Sequence, residues 1–178
     1  MTVYELRSSD DAVTLAYSDK AEYTRQSELT GKKVDLTRWS PPAVRIVRDG
    51  LGGEDSDFAL LATEPAFSAR AVQILGDLLQ KSGQLLPLLS ADGEFYHWNV
   101  TTIIDALDQE ASELQRFSDG GVMMVDRWAF RSDQLKEVTA FKIPQLPGAF
   151  TFVTDIFIDR FRGAGLTGLH ICPVWSAP

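Results

Sequence analysis

The stretch FTFVTDIFIDRFRGAGLTGLHICPVWSAP (residues 150–178) decides the fold class, because it has the order strand, capped helix, glycine stop and strand. Residues 150–153 are rich in β-prone side chains. Thr154 occupies the position of a helix N-cap, and Asp155 follows it at the positive end of the helix dipole. Three glycines predict positive-φ positions that end the helix and turn the chain: Gly163, Gly165 and Gly168. The residues after them, 169–175, predict an extended strand.

A second unit of the same order lies in the middle of the chain. Residues 58–61 predict a short strand, and Ser68 is the N-cap of a helix. The apolar side chains of this helix share one face: Val72, Leu75, Leu78 and Leu79. Gly83 ends the helix, and residues 84–88 predict the next strand.

Short strands account for most of the remaining chain. We expect them over 2–7, 12–17, 44–47, 95–100, 113–117, 122–130 and 139–143. The glycine-rich acidic stretch 49–57 predicts a loop, and short helical turns are expected near 21–28, 104–107 and 131–136. The sequence therefore predicts one α+β domain over residues 1–178, with a mainly antiparallel sheet of short strands. Its two principal helices are expected at about 68–82 and 154–163, with residues 1–48 as a peripheral N-terminal subregion.

The net charge of −8 is unevenly spread along the chain. Residues 1–48 hold 7 acids and 8 bases, whereas residues 49–178 hold 18 acids and 9 bases. The excess is concentrated from Asp49 to Glu64 and from Asp92 to Asp119, where Arg116 is the single base. Such a surface repels nucleic acid and attracts a basic protein, although acidic faces also serve solubility alone.

Membrane and secretory segments are not expected. The apolar runs, such as residues 58–62, are far shorter than the roughly 18 residues of a membrane helix. The N-terminus has neither the basic region nor the apolar region of a secretory signal. The single cysteine, Cys172, suits a reducing compartment, so we expect a cytoplasmic protein.

The patterns that would indicate catalysis or metal binding are weak. His170 and Cys172 share a strand face by their spacing, but no third ligand accompanies them, so no metal or other cofactor is expected. An enzyme would have to use Cys172 with His97, or Asp105 with Asp108 as an acid–base pair. Packing and helix capping are simpler interpretations of these residues, and the enzyme hypothesis ranks third.

Several segments, taken in order over roughly residues 57–175, carry a family resemblance. They are SARAVQILGDLL (68–79) leading into QLLPL (84–88), YHWNVTTIIDALDQEAS (96–112), VDRWAF (125–130), AFKIP (140–144) and FVTDIFIDRFRGAGLTGLHICPVW (152–175). In combination they resemble the bacterial immunity protein family eleven, formerly a domain of unknown function. Members of this family are encoded beside polymorphic or contact-delivered toxins.

The resemblance implies a non-enzymatic antidote that binds a cognate toxin in the cytoplasm and blocks or distorts its active site. A basic nuclease would suit an acidic antidote, which can mimic nucleic acid. From charge alone, we expect the toxin to contact seven acids: Asp105, Asp108, Glu110, Glu113, Glu54, Asp55 and Asp57. Trp98 or Phe117 would supply the apolar anchor that tight binding requires. The open alternative is an intracellular small-ligand or partner-binding α+β module without catalysis, with its pocket under the strand 95–100.

Overall fold

The computed structural model describes residues 1–10, 12–27, 29, 31–47 and 56–177. The strands are β1 (Thr2–Ser8), β2 (Thr14–Tyr17), β3 (Val44–Val47), β4 (Phe58–Leu61), β5 (Glu64–Ser68), β6 (Gly83–Pro87), β7 (Phe95–Val100), β8 (Glu113–Arg116), β9 (Val122–Arg127), β10 (Ala140–Phe141), β11 (Phe152–Thr154) and β12 (Leu169–Ser176). The α-helices are α1 (Lys20–Ser27), α2 (Ala69–Ser82) and α3 (Asp155–Gly163). Short 3₁₀ helices span Leu36–Arg38 and Ser132–Leu135.

The strands form two main sheets and one separate hairpin. The four-stranded sheet has the order β10-β11-β1-β12, and the six-stranded sheet has the order β3-β2-β4-β5-β7-β6. Among the strands that the structure describes, every pair is antiparallel except β2 with β4, and β8 pairs with β9 as a two-stranded sheet. The predicted α+β class with a mainly antiparallel sheet and two principal helices is confirmed.

The C-terminal unit forms as predicted, but the first strand completes it. β1 lies between β11 and β12, with Val3 opposite Thr154 and Leu6 opposite Ile171. The Asp155 carboxylate accepts hydrogen bonds from the Thr2 amide (2.7 Å) and the Tyr4 hydroxyl (3.0 Å). The N-terminal strand is therefore held by the start of α3 as well as by its neighbours.

Some details of this unit differ from the prediction. Thr154 does occupy the N-cap of α3, yet its hydroxyl donates to the Val138 carbonyl (2.6 Å) and makes no capping bond. Gly163 is the last residue of α3, while Gly165 and Gly168 have the predicted positive φ, +61° and +92°. The local pattern thus located the helix end but not which of the three glycines turn the chain.

The middle unit also forms, with one additional strand. Ser68 is the N-cap of α2, and its hydroxyl accepts a hydrogen bond from the Ala71 amide (3.1 Å). β5 ends at the cap residue itself and was not predicted, because Pro65 interrupts its strand signal. α2 ends at Ser82, and Gly83 begins β6.

Aromatic side chains fill the space between the sheets and the helices. Trp98 is fully buried, stacks on Phe157 of α3 with centroids 5.7 Å apart, and donates from its indole nitrogen to the Leu79 carbonyl (2.8 Å). A second aromatic cluster surrounds Phe152, where Trp128 and Phe130 pack at 4.9 Å and 5.3 Å. This second cluster lies at the base of the β8–β9 hairpin.

The prediction of a helical turn at 104–107 was wrong. These residues form no helix: the Ala106 amide donates to the Ile104 carbonyl (2.8 Å) in a tight turn, and two further backbone bonds reach neighbouring segments. The Ile104 amide donates to the Lys142 carbonyl (2.9 Å), and the Arg131 amide donates to the Ala106 carbonyl (2.8 Å). The hairpin strand predicted to reach residue 130 ends at Arg127. Most of the loop expected at 49–57, namely 49–55, lies outside the described residues.

Candidate functional site

The candidate site is the acidic segment from Asp105 to Arg127, which comprises a turn-rich loop and the β8–β9 hairpin. It holds six acids, namely Asp105, Asp108, Glu110, Glu113, Asp119 and Asp126, against two bases, Arg116 and Arg127. The charge is therefore strongly negative over a short stretch of chain. Of the residues predicted from the sequence to contact the partner, four acids and the aromatic residue Phe117 lie within this segment.

The two aspartates at the start of the segment shape the loop. The Asp105 carboxylate accepts a hydrogen bond from the Gln145 amide (2.7 Å) and lies 3.3 Å from the Arg131 guanidinium. These two neighbours, the Gln145 hydrogen bond foremost, lower the pKa of the Asp105 carboxyl below its usual value. Asp108 accepts bonds from the backbone amides of Glu110 and Ala111, each at 3.1 Å. Both carboxylates thus hold the loop in place as well as carrying charge.

The next two acids lie on the exposed side of the segment. Glu110 is exposed, and its own amide bonds to Asp108. Glu113 accepts from the Arg127 guanidinium at 2.9 Å, and both side chains are more than half exposed. An ion pair this exposed is screened by water and adds little stability, so both groups remain accessible to a partner.

Two bulges in β9 set the shape of the hairpin. Glu113 lies opposite Arg127 and Leu114 opposite Val125, so Asp126 is an extra residue. Gln115 lies opposite Met124, and Arg116 lies opposite Val122, so Met123 is a second extra residue. The Gln115 amide donates to both oxygens of Asp126, at 3.1 Å and 3.0 Å, and thereby joins the strands on their solvent side.

The hairpin is fixed at both ends. At its base, Leu114 packs against the aromatic cluster of Phe130 and Phe152, and the Ala129 amide donates to the Ser112 hydroxyl (3.0 Å). At its tip, the Phe117 amide donates to the Gly121 carbonyl (2.9 Å), and Asp119 accepts from the Gly121 amide (2.9 Å). The exposed side chains therefore sit on an ordered platform.

The remaining residues expected to contact a partner lie elsewhere. Glu54 and Asp55 fall outside the described residues. Asp57 is buried, and its carboxylate accepts from the Ser68 hydroxyl (2.9 Å), the Arg70 guanidinium (2.6 Å) and the Thr167 amide (3.0 Å). Trp98 is buried in the core between α2 and α3. Asp57 and Trp98 therefore support the fold in this structure and are not presented on its surface.

Sequence reasoning missed Met123 and Met124, both exposed at the hairpin. The run VMMV at 122–125 resembles a buried strand, because continuous apolar residues are typical of strands covered on both faces. The neighbouring Asp119-Gly120-Gly121 turn shows that a hairpin is present, but no residue type marks the bulge. Only the strand register reveals which apolar side chains face outward.

The residues of the enzyme hypothesis lie apart in the fold. Cys172 lies on β12 of the four-stranded sheet, opposite Glu5 of β1. His97 is buried on β7 of the six-stranded sheet, opposite Ala66 of β5. Among the described residues, no group of three His, Cys, Asp or Glu side chains lies close enough to hold a metal ion.

Two open clefts lie away from the hairpin. One, of about 500 Å³, lies between β2 and α1 and includes Tyr17 and Tyr23 in its lining. The other, of about 540 Å³, includes Asp57, Arg70 and Phe95 in its lining, at the start of β7. Neither is an enclosed pocket beneath β7 of the kind that the ligand-module alternative predicts. Of the helices in the described parts of the chain, none has the length and apolar character needed to cross a membrane.

The fold and the site together define an α+β protein whose most distinctive surface is an ordered, acidic, partly apolar hairpin suited to contact with another protein. Residues 89–174 match the model of the Immunity protein family (Imm11). The match spans just under half of the chain, contains the whole acidic segment, and confirms the family resemblance predicted from the sequence. It supports an immunity-protein role. No curated protein matches the chain.

Proposed function

We propose that this chain is a bacterial immunity protein that binds a cognate toxin in the cytoplasm and neutralises it through the acidic segment 105–127, without catalysis of its own. The observation that carries the proposal is the match to the Immunity protein family over residues 89–174, which includes that entire segment. The excess of acids there indicates a toxin with a basic surface, and a nuclease with a basic cleft is the enzyme class that fits best.

The arrangement of the segment supports neutralisation by occlusion. Both of its bases are engaged within the segment itself: Arg127 bonds to Glu113, and Arg116 donates to the Gly120 carbonyl and to the Gln109 side chain, each at 2.9 Å. Because the segment holds six acids against two bases, its outward field is negative whatever these bonds do. A protein of this charge placed over a basic cleft would compete with a nucleic acid substrate and speed its own association.

The proposal is tested by mixing the purified chain with the toxin domain encoded beside its gene, then measuring binding and the activity of that toxin. We expect tight binding, loss of toxin activity at equimolar chain, and affinity that weakens between about 50 mM and about 300 mM salt. The triple variant Glu110→Lys, Glu113→Lys and Asp126→Lys should bind far more weakly at low salt.

A charge-reversal control comes from two helices outside the segment. Asp77→Lys and Asp159→Lys change exposed acids of α2 and α3. They should leave binding within about twofold of the unmodified chain, because exposed charges beyond the Debye length are screened. Unchanged binding by the triple variant would move the interface away from the segment, and absence of binding by the unmodified chain would refute the proposed function.

A further inference from the structure

The outer face of the β8–β9 hairpin exposes three large apolar side chains close together in the sequence. Phe117 is 55% exposed, Met123 is 45% exposed and Met124 is 46% exposed. We call these three residues the hairpin anchor. Single exposed apolar residues are ordinary on protein surfaces, but three of them within one short hairpin mark a contact site.

The bulge at Met123 is what exposes both methionines. Along a regular strand successive side chains alternate between faces, so one of two adjacent methionines would point toward the core. Here Val122 is buried, and Met123 is the extra residue between the pairs Arg116–Val122 and Gln115–Met124. The extra residue lets Met123 and Met124 both face solvent.

Phe117 joins the same face through the register of the hairpin end. Its amide bonds to the Gly121 carbonyl, which sets Phe117 opposite Gly121. Arg116 lies opposite the inward-facing Val122. Because faces alternate along a strand, the next pair, Phe117 with Gly121, faces outward. Gly121 has no side chain, so Phe117 lies on the same face as the methionines with no apolar side chain opposite it.

Acids flank the anchor on this outer side. The Asp126 carboxylate accepts its two hydrogen bonds from the neutral Gln115 amide, and Asp119 accepts from the Gly121 backbone. A second copy of the chain would bring these carboxylates against their own equivalents, which is unfavourable. A basic surface with an apolar recess is the complementary partner.

We infer that the hairpin anchor seats in an apolar recess of the toxin, and that lysine or arginine side chains around this recess face Asp119 and Asp126. This inference rests on the proposed function and adds the residues that supply affinity. Methionine adapts to irregular recesses, an aromatic ring contributes a large rigid contact, and the surrounding acids mainly accelerate encounter. Because the hairpin is already fixed at its base and tip, little ordering is needed on binding.

The test measures affinity for the toxin domain encoded beside the gene, using the variants Phe117→Ala and the double change Met123→Ser with Met124→Ser. Matched controls are Leu36→Ala, at 56% exposure, and Ile156→Ser, at 44% exposure, which lie on other elements. Each hairpin variant should raise Kd at least about tenfold through faster dissociation, and the controls should stay within about twofold. Unchanged circular dichroism and melting temperature establish that each variant folds.

A second measurement uses the methionines themselves, which number three in the chain. Limited peroxide oxidation of a version with an N-terminal tag, followed by mass spectrometry, reports on Met123 and Met124, with the similarly exposed Met1 as the internal control. Bound toxin should protect Met123 and Met124 and leave Met1 reactive.

The outcomes separate the two proposals. If the unmodified chain binds the toxin and the hairpin variants bind equally well, the anchor is refuted while the proposed function stands. Equal oxidation of all three methionines in the complex would also refute the hairpin anchor and leave the proposed function standing. A dimer that the methionine changes abolish, with toxin binding intact, would reassign the face to self-association. If the unmodified chain does not bind the toxin, the proposed function fails and the anchor with it.

Discussion

The Lys142 ammonium lies 2.9 Å and 3.0 Å from the two carboxylate oxygens of Glu64, in an ion pair that joins the two main sheets. Lys142 directly follows β10 of the four-stranded sheet, and Glu64 begins β5 of the six-stranded sheet. The Lys142 side chain is only 2% exposed and that of Glu64 is 22% exposed. A cation this deeply buried depends on its partner, because loss of the carboxylate leaves its charge uncompensated.

Removal of the Glu64 carboxylate should therefore be costly. We expect Glu64→Ala to lower the free energy of unfolding by about 3 kcal/mol, because Lys142 would be left buried and uncompensated. The measurement is urea denaturation at neutral pH. The control is Asp77→Ala, which breaks an exposed pair with Arg160 at 3.3 Å and should cost less than about 1 kcal/mol. The double change Glu64→Leu with Lys142→Met should recover part of the lost stability. An equal cost for Glu64→Ala and Asp77→Ala would show that the burial of the Glu64–Lys142 pair has no energetic consequence.

Stability should fall as the pH drops below the ordinary range of histidine. Burial, aided by the nearby Lys142 charge, lowers the pKa of His97 to about 4, and neither ring nitrogen has a hydrogen-bond partner in the described part of the chain. The unfolded chain binds the proton near pH 6.5 and the folded chain does not, so the stability present above pH 6.5 is lost as the pH falls toward 4. Between about pH 7 and about pH 5 this should remove roughly 2 kcal/mol.

The measurement is the free energy of unfolding of the unmodified chain and of His97→Leu at those two pH values. The variant lacks the titrating ring, so its loss over the same interval should be smaller by about the same roughly 2 kcal/mol. The comparison isolates His97 from the many exposed carboxylates, which both chains share. Parallel pH dependence in the two chains would show that His97 does not titrate as its burial requires.

Gly168 should tolerate no side chain. Its φ is +92°, and a Cβ there would overlap the Ser56 hydroxyl and lie 2.5 Å from the Phe58 carbonyl oxygen. Gly168→Ala combines the strain of a left-handed backbone at a non-glycine residue with overpacking against neighbouring backbone. We therefore expect the free energy of unfolding, measured by urea denaturation, to fall by about 2–4 kcal/mol. Gly165 is the matched control, since its φ is +61° but a Cβ there would meet nothing within 4 Å. Gly165→Ala should cost only the backbone strain of about 1 kcal/mol, and a similar cost at both positions would contradict the close approach at Gly168.

The acids beside the hairpin anchor should act mainly on the rate of encounter with the toxin. Asp126→Asn removes one exposed charge while keeping the shape of the side chain that bonds to Gln115. We expect the association rate with the adjacent-gene toxin to fall about two- to fivefold at low salt and to match the unmodified chain at high salt. Stopped-flow mixing at several salt concentrations measures this. A change confined to the dissociation rate would instead show that Asp126 is desolvated in the complex.

The sequence predicted the parts of the fold that depend on neighbouring residues. The helix after Ser68 and the helix after Thr154 were located because an N-cap residue, an apolar face and a glycine lie within a few positions of one another. The predictions that failed concern parts of the fold that depend on distant residues. The non-helical course of 104–107 depends on bonds to residues 131 and 142, far along the chain, which outweigh the local helical tendency.

The candidate site shows the same division. The net charge follows from composition and its concentration between Asp105 and Asp119 from residue order, and Phe117 was named from its place among those acids. Trp98 was named on similar grounds, yet its ring stacks on Phe157 and is fully buried. Burial of a side chain is decided by residues brought together from distant parts of the chain, so the sequence offered no means of separating Phe117 from Trp98.

The sequence by itself determined the α+β class, the two principal helices, the family resemblance and the acidic character of the second half, because caps, periodicity and charge are local properties. The tertiary structure decided that β1 inserts between β11 and β12, that Asp57 bonds to Arg70 and Thr167, and that a bulge exposes both Met123 and Met124. Strand order, burial and register arise from pairings between remote segments. Their free energy depends on which surfaces meet, and no short window of sequence contains that information.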